Sequence, residues 1–192
     1  MNLTPEQIKE RFHMVPLDRE GGVFCQTYIS DEVLPEAVIP GRKGDHTDVY
    51  KRQGVFFVCQ AAAKVMKEQQ NGGAIINVSS INATCPSDTL VHYGTSKAAV
   101  EFLTKGLAHD WGKYGIRVNC IAPGLIDAPM LDQWVPGWRE SYCERAPLGR
   151  LVSPEDLGNA AIFLGSPLAS FITGQILTVD GGVLMAPAFN WN

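Results

Sequence analysis

Three short apolar segments alternate with helix-length stretches of mixed polarity, and this alternation limits the possible folds more than any other feature of the chain. The apolar segments are residues 74–78, 116–122 and 176–179. Residues 55–70 read as a helix with Val55, Val58, Cys59, Ala62, Val65 and Met66 on one stripe, ended by Gly72 and Gly73. Residues 95–111 form a long helical pattern closed by Gly112 and Gly115. Residues 154–164 form a third, with Ser153 as N-cap and Asp156 three positions on. Strands separated by helices predict parallel pairing through right-handed crossovers, hence an α/β, doubly wound parallel sheet.

Residues 1–53 do not continue the pattern. Thr4, Pro5 and Gln7 suit the start of a short helix to about Phe12. Residues 20–24 suggest a turn into a strand over 25–30, and Pro35, Pro40, Gly41 and Gly44 break any regular structure beyond it. One short helix and one strand bury no core. The chain therefore divides into an N-terminal segment, 1–53, and a structured part, 54–192.

Composition excludes several classes. With 192 residues and net charge −4, the chain lacks the basic surplus of a general nucleic-acid binder. No apolar run approaches the ~20 residues of a membrane span, and residues 1–11 do not read as a signal peptide. Cys25, Cys59, Cys85, Cys120 and Cys143 are scattered without a C-x-x-C, as for reduced thiols in a cytoplasmic protein. His13, His46, His92 and His109 have no metal-ligand spacing, so no metal is expected.

The residues that carry chemistry begin with Tyr93 and Lys97, four apart and so on one helical face. Ser80 lies thirteen residues before Tyr93, just past the first apolar strand. Ligands of open α/β sheets bind at the carboxyl ends of the strands. A phenol ionises only near pH 10, and a neighbouring ammonium favours the phenolate. Lys97 is the available partner at this spacing, and Ser80 is placed to hold a substrate oxygen by a hydrogen bond. With 5 Tyr and 8 Lys, chance yields ~0.2 such pairs. Adding one of 9 Ser at a fixed offset lowers this to ~0.01.

Four motifs occur in order: Gly73 to Ser80, Tyr93-Gly-Thr-Ser-Lys97, Ile116 to Gly124, and Gly174 to Gly182. With them, residues 54–192 resemble the C-terminal part of a short-chain dehydrogenase/reductase. The resemblance implies a Rossmann-like sheet truncated to its C-terminal half, preceded by a poorly structured N-terminal segment. It implies Tyr93 as general acid/base and Ser80 as the residue orienting the substrate oxygen. Lys97 would bind the nicotinamide ribose of NAD or NADP and assist Tyr93. Pro123, Gly124 and the backbone near Ile126 would support the nicotinamide. Family members often carry threonine where Ala128 stands, and the family asparagine position is Lys51 here.

Other readings concern single residues. Asn119 is expected to fix strand-to-loop backbone rather than to act on substrate. Trp134, Trp138 and Tyr142 suit either an apolar substrate pocket or the packing of a lid. The glycine fingerprint that cradles a pyrophosphate at a helix N-terminus is not in the sequence. Residues 1–47 resemble instead the opening of a small cupin-type family, through Phe12–Ser30. Residues 48–53, Asp-Val-Tyr-Lys-Arg-Gln, are encoded in one codon choice by GATGTGTATAAGAGACAG, which resembles a transposon-end adapter. The segment therefore reads as a chimeric junction, with a basic linker as the alternative.

The expected function is an NAD(P)-dependent oxidoreductase interconverting a secondary alcohol and a ketone, inactive without the fingerprint half. The small-molecule substrate is not narrowed further. The resemblance also implies a homodimer or homotetramer, formed through the helices around 55–70 and 95–111 and the terminal segment. A non-catalytic, oligomerising fragment is the alternative.

Overall fold

A computed structural model describes residues 15–16, 23–24, 48–87, 90–128 and 136–185. Two short strands, β1 (Val15–Pro16) and β2 (Val23–Phe24), pair antiparallel. Val23 and Phe24, read from sequence as part of a turn, are thus extended and paired. The helix expected up to Phe12 and the strand expected over 25–30 lie outside the described residues.

Helix α1 (Asp48–Gln69) then leads to β3 (Gly73–Val78), α2 (Val91–Trp111) and β4 (Ile116–Pro123). Short α3 (Trp138–Arg145), α4 (Pro154–Gly165) and β5 (Ile176–Val179) complete the order. Helix α1 begins seven residues before the expected Val55 and runs without a break through the 53/54 boundary. Residues 48–53 hold neither proline nor glycine, and Gly54 costs only about 1 kcal/mol inside a helix. Helix α2 begins at Val91 rather than Thr95, so Tyr93 lies within its first turn.

The main sheet has the order β3-β4-β5, all parallel. Gly73 stands opposite Ile116 and Val78 opposite Ile121, while Cys120 stands opposite Ile176. Central β4 is the most buried strand, with Val118 and Cys120 fully enclosed. Each such apolar side chain contributes about 1.5–3 kcal/mol by leaving water.

Alternate residues of a strand point to opposite faces, which assigns the helices. Ile75, Ile116 and Val118 pack with Cys59 and Ala63 of α1 and with Leu107 and Ala108 of α2. The next residue, Ile76, reaches Gly165 at the end of α4 on the other face. The β3-to-β4 and β4-to-β5 connections step in the same direction but cross on opposite faces. They must therefore have opposite hands, so the expectation of right-handed crossovers fails for one of them. The reason is packing: α1 and α2 occupy the first face, and α4 covers the second.

The stripe of α1 is also turned from the one expected. Its buried side is Cys59 and Ala63 with Val55, Phe56 and Met66, whereas Val58 is 52% exposed. Helix α1 rests on α2 as well as on the sheet, which rotates its contact surface.

Polar groups fix the remaining geometry. Asn77 Nδ2 donates to Thr104 Oγ1 at 2.9 Å, and Cys59 Sγ donates to Asn77 Oδ1 at 3.2 Å. Asn119 Nδ2 donates to the Ile172 carbonyl at 2.9 Å, and its Oδ1 accepts from Gln175 N at 3.0 Å. Asn119 thus fixes the loop entering β5, as its sequence context suggested. Arg117 donates to the Leu164 and Ser166 carbonyls at 2.7 and 3.3 Å, closing the C-terminal end of α4.

Candidate active site

The candidate residues collect at the carboxyl end of the sheet. Beyond Val78 the chain stays extended to Ser80, which caps a one-turn helix over Ile81–Ala83. Its Oγ accepts from Asn82 N at 3.2 Å. The first turn of α2 lies directly against this turn. A Cβ on Gly94 would come within 2.5 Å of the Asn82 carbonyl oxygen, so only glycine permits the approach. Gly94 adjoins Tyr93, and the approach brings Tyr93 to the strand end that Ser80 follows.

Lys97 spans the same end. Its Nζ lies 5.5 Å from the centroid of the Tyr93 ring and donates to the Val78 carbonyl at 3.2 Å. A cation within about 6 Å of a ring centroid is attracted to it. One turn further along α2, Glu101 accepts a hydrogen bond from Ser79 Oγ at 2.7 Å. With Asn77–Thr104, this second clamp sets the rotation and axial position of α2 on β3. It thereby registers Lys97 against the end of β3. Sequence reasoning did not find Ser79 and Glu101, although their spacings from Ser80 and Lys97 carried the signal.

Pro123 ends β4, and Gly124 N donates to the Val179 carbonyl at 2.9 Å. Ile126 forms a single parallel bridge to Val152, which holds the loop after β4 against the entry to α4. Ala128 is half-buried beyond it. Arg139 of α3 pairs with Asp127 at 2.8 Å.

Of the aromatic residues expected at a pocket or lid, Tyr142 is buried and packs. Its hydroxyl lies over Gly124 and donates to the Asp180 carbonyl at 2.6 Å. Burial pushes its phenol above the usual range. Trp138 is 40% exposed, and Trp134 lies outside the described residues. Asp180, buried, accepts from Gly182 N and Leu184 N, both at 2.9 Å. An Asp followed by two glycines signals this turn in the sequence.

A cavity lies elsewhere. It measures about 680 Å³ and opens at the amino ends of β3 and β4, lined by Gly73, Ile116, Arg117 and Phe171. It contains none of the candidate residues. Parallel α/β sheets place their chemistry at the carboxyl ends, so the cavity is not assigned to the reaction.

A family model described as enoyl-(acyl carrier protein) reductase matches residues 47–184. The chain belongs to the short-chain dehydrogenase/reductase family. An L-rhamnose 1-dehydrogenase of Azotobacter vinelandii is 42% identical over 134 residues, covering 69% of this chain and 52% of the relative. A 3-oxoacyl-[acyl-carrier-protein] reductase of Chlamydia trachomatis is 40% identical over 129 residues, covering 67% and 52%. Among solved structures, a gluconate 5-dehydrogenase of Burkholderia cenocepacia, in complex with NADP and tartrate, superposes with TM-score 0.65. It is 39% identical, over 70% of this chain and 53% of that one. The chain thus spans about half the length of the relatives it matches. No described helix is long and apolar enough to cross a membrane.

Proposed function

We propose that this short-chain dehydrogenase/reductase segment carries the substrate-facing half of an NAD(P)-dependent oxidoreductase acting on a secondary alcohol or ketone. The observation that carries the reading is the Lys97 ammonium set against both the Tyr93 ring and the end of β3. The residues present fit one end of the cofactor only. Tyr93 and Lys97 would hold the nicotinamide ribose, and Pro123, Gly124 and the backbone at Ile126 would support the nicotinamide. The sequence offers no glycine loop between a strand and a helix for the pyrophosphate.

A bound nicotinamide cofactor would supply the hydride chemistry at the substrate carbon. Tyr93 Oη exchanges the proton at the substrate oxygen, and Ser80 Oγ holds that oxygen by a hydrogen bond. Lys97 sets a positive charge beside the phenol and the ribose. By their names the relatives act on L-rhamnose, gluconate, a 3alpha-hydroxysteroid and a 3-oxoacyl-[acyl-carrier-protein], so the substrate class is a hydroxyl-bearing compound or its ketone. Assembly as a homodimer or homotetramer belongs to the same reading, as does a cytoplasmic location.

The chain alone is expected to be inactive, because half of the cofactor site is missing. Incubation with NADH or NADPH and a ketone panel of these classes tests this, and turnover overturns it. The catalytic assignment has its own test. Within a full-length enzyme retaining residues 54–192, Tyr93→Phe is expected to lower kcat by about 10²-fold or more while leaving assembly intact. Unchanged kcat would favour the non-catalytic, oligomerising alternative. The reading of residues 1–53 as a separate, cupin-like segment joined at 48–53 is tested by amplifying the locus from source DNA. An uninterrupted product across the junction removes it.

A further inference from the structure

The turn that joins α1 to β3 runs Gln70-Asn71-Gly72-Gly73 and holds the only Asn-Gly pair in the sequence. An asparagine side chain puts its amide carbon, Cγ, within reach of the next backbone nitrogen through a five-membered ring. Glycine presents that nitrogen with no Cβ to obstruct the approach. Asn71 is exposed, so water reaches it. Gln70 lies at φ 56° and Gly72 at φ 71°, so the chain leaves the helix through two left-handed residues. Helix ends fray, and fraying here frees the Asn71 backbone to rotate towards ring closure.

The other places where this chemistry could occur are restrained. Asp180-Gly181 is the one Asp-Gly pair in the sequence. Asp180 is buried, however, and its two carboxylate oxygens accept from Gly182 N and Leu184 N. Asn77 and Asn119 are buried, and each carboxamide is bonded at both its oxygen and its nitrogen. Asn82 and Asn159 each precede an alanine, whose Cβ crowds the nitrogen, and Asn159 is locked inside α4.

We propose that Asn71 is a site of spontaneous covalent modification: deamidation through a cyclic imide to aspartate and isoaspartate, with water as co-reactant. Gly72 N attacks Asn71 Cγ and gives up its proton. The bond from Gly72 N to Cγ forms, the bond from Cγ to Nδ2 breaks, and Nδ2 leaves as ammonia carrying that proton. Water then opens the ring, and nothing is oxidised or reduced. Cleavage between Gly72 N and Cγ gives aspartate. Cleavage between Gly72 N and the Asn71 backbone carbonyl carbon gives isoaspartate, whose main chain runs through Cβ and Cγ and is one atom longer.

The fold treats the two products differently. Aspartate adds a negative charge at an exposed position and leaves the main chain as it was. Isoaspartate lengthens a turn that is closed on both sides. A Cβ on Gly72 would come within 2.5 Å of the Gly115 carbonyl oxygen, and one on Gly73 would overlap Met66 Sδ. Gly73 N donates to the same Gly115 carbonyl at 3.2 Å, and Gly73 opposite Ile116 is the first rung of the β3–β4 ladder. The longer main chain displaces Gly73 from that bond, so the entry to β3 loosens.

Prolonged incubation of the folded chain in neutral buffer is the test, followed by trypsin and fragmentation of peptide 68–97. Asn71 is expected to lose its amide at least tenfold faster than Asn77 and Asn82 of the same peptide. Ammonia should appear in step, and a protein isoaspartyl methyltransferase should label the aged chain at residue 71. Asn71→Gln, whose ring would be six-membered, is expected to slow ammonia release at least tenfold. The aged parent should melt below the fresh parent, whereas aged Asn71→Gln and fresh Asn71→Asp should melt with the fresh parent. Circular dichroism verifies that each variant is folded. An Asn71 that keeps its amide in the folded chain but loses it in urea overturns the proposal, because the turn then shuts out ring closure. Ammonia release unchanged in Asn71→Gln overturns it equally. Fresh Asn71→Asp melting as low as the aged parent assigns the loss to charge and overturns the part played by the longer main chain.

Discussion

Two glycines set how closely backbone approaches backbone at the site. Gly94 lets the first turn of α2 touch the Asn82 carbonyl, and Gly124 accommodates the Tyr142 hydroxyl. Gly124→Ala is expected to cost about 1–3 kcal/mol by overpacking, which lowers Tm by roughly 2–10 °C. Tyr142→Phe removes the colliding hydroxyl but strips the Asp180 carbonyl of its donor, at about 1 kcal/mol. Because the collision is largely with that hydroxyl, the double variant should lose less than the sum of the two, and a thermal double-mutant cycle measures the coupling. The cysteines give a second expectation. Burial pushes the Cys59 and Cys120 thiols up, whereas Cys85 is exposed. Peptide mapping after iodoacetamide treatment at neutral pH should find Cys85 alkylated before Cys59 and Cys120, which react only after denaturation. Sequence periodicity placed Tyr93 and Lys97 on one face, since a four-residue spacing is local. It left Tyr142 between a pocket and a packing role, because the carbonyl that accepts its proton is 38 residues away.

Helix α4 shows how a local signal is strengthened by a partner. Ser153 Oγ accepts from Asp156 N, and Asp156 Oδ2 accepts from Ser153 N, which closes the expected capping box. Arg150 adds two bonds to the same carboxylate, at 2.6 and 3.0 Å. The Arg150 guanidinium first, and the Ser153 backbone second, hold the Asp156 carboxyl well below the usual carboxylate range. A depressed value in the folded state stabilises the fold above about pH 4, and that contribution fades as pH falls below it. Melting curves at pH 7 and pH 3 should therefore differ less for Asp156→Asn than for the parent. Ser153→Ala, with the box opened, should cost about 1 kcal/mol at pH 7. The capping residues were legible because they lie three apart. Arg150 was not, because nothing in its spacing sets its orientation.

The described fold as a whole is built on a three-stranded parallel sheet whose central strand carries most of the burial. Amide exchange at dilution should be slowest along β4, at Val118 to Ile121. On β3 it should alternate, slow at Ile75, Asn77 and Ser79 and fast at Ala74, Ile76 and Val78, which reads the register directly. Equal protection at all six would contradict this register. The alternation of β3, α2, β4, α4 and β5, the parallel α/β class and the shared helical face of Tyr93 and Lys97 were legible in the linear chain, whereas helix α3 was not. Each rests on periodicity, caps and turn residues within a few positions of one another. Long-range packing, by contrast, settled which face each helix covers, that one crossover breaks the usual hand, and that Val58 stays exposed. It also turned Lys97 onto the Val78 carbonyl. Those outcomes depend on how distant surfaces compete for one another, and no local pattern encodes that competition.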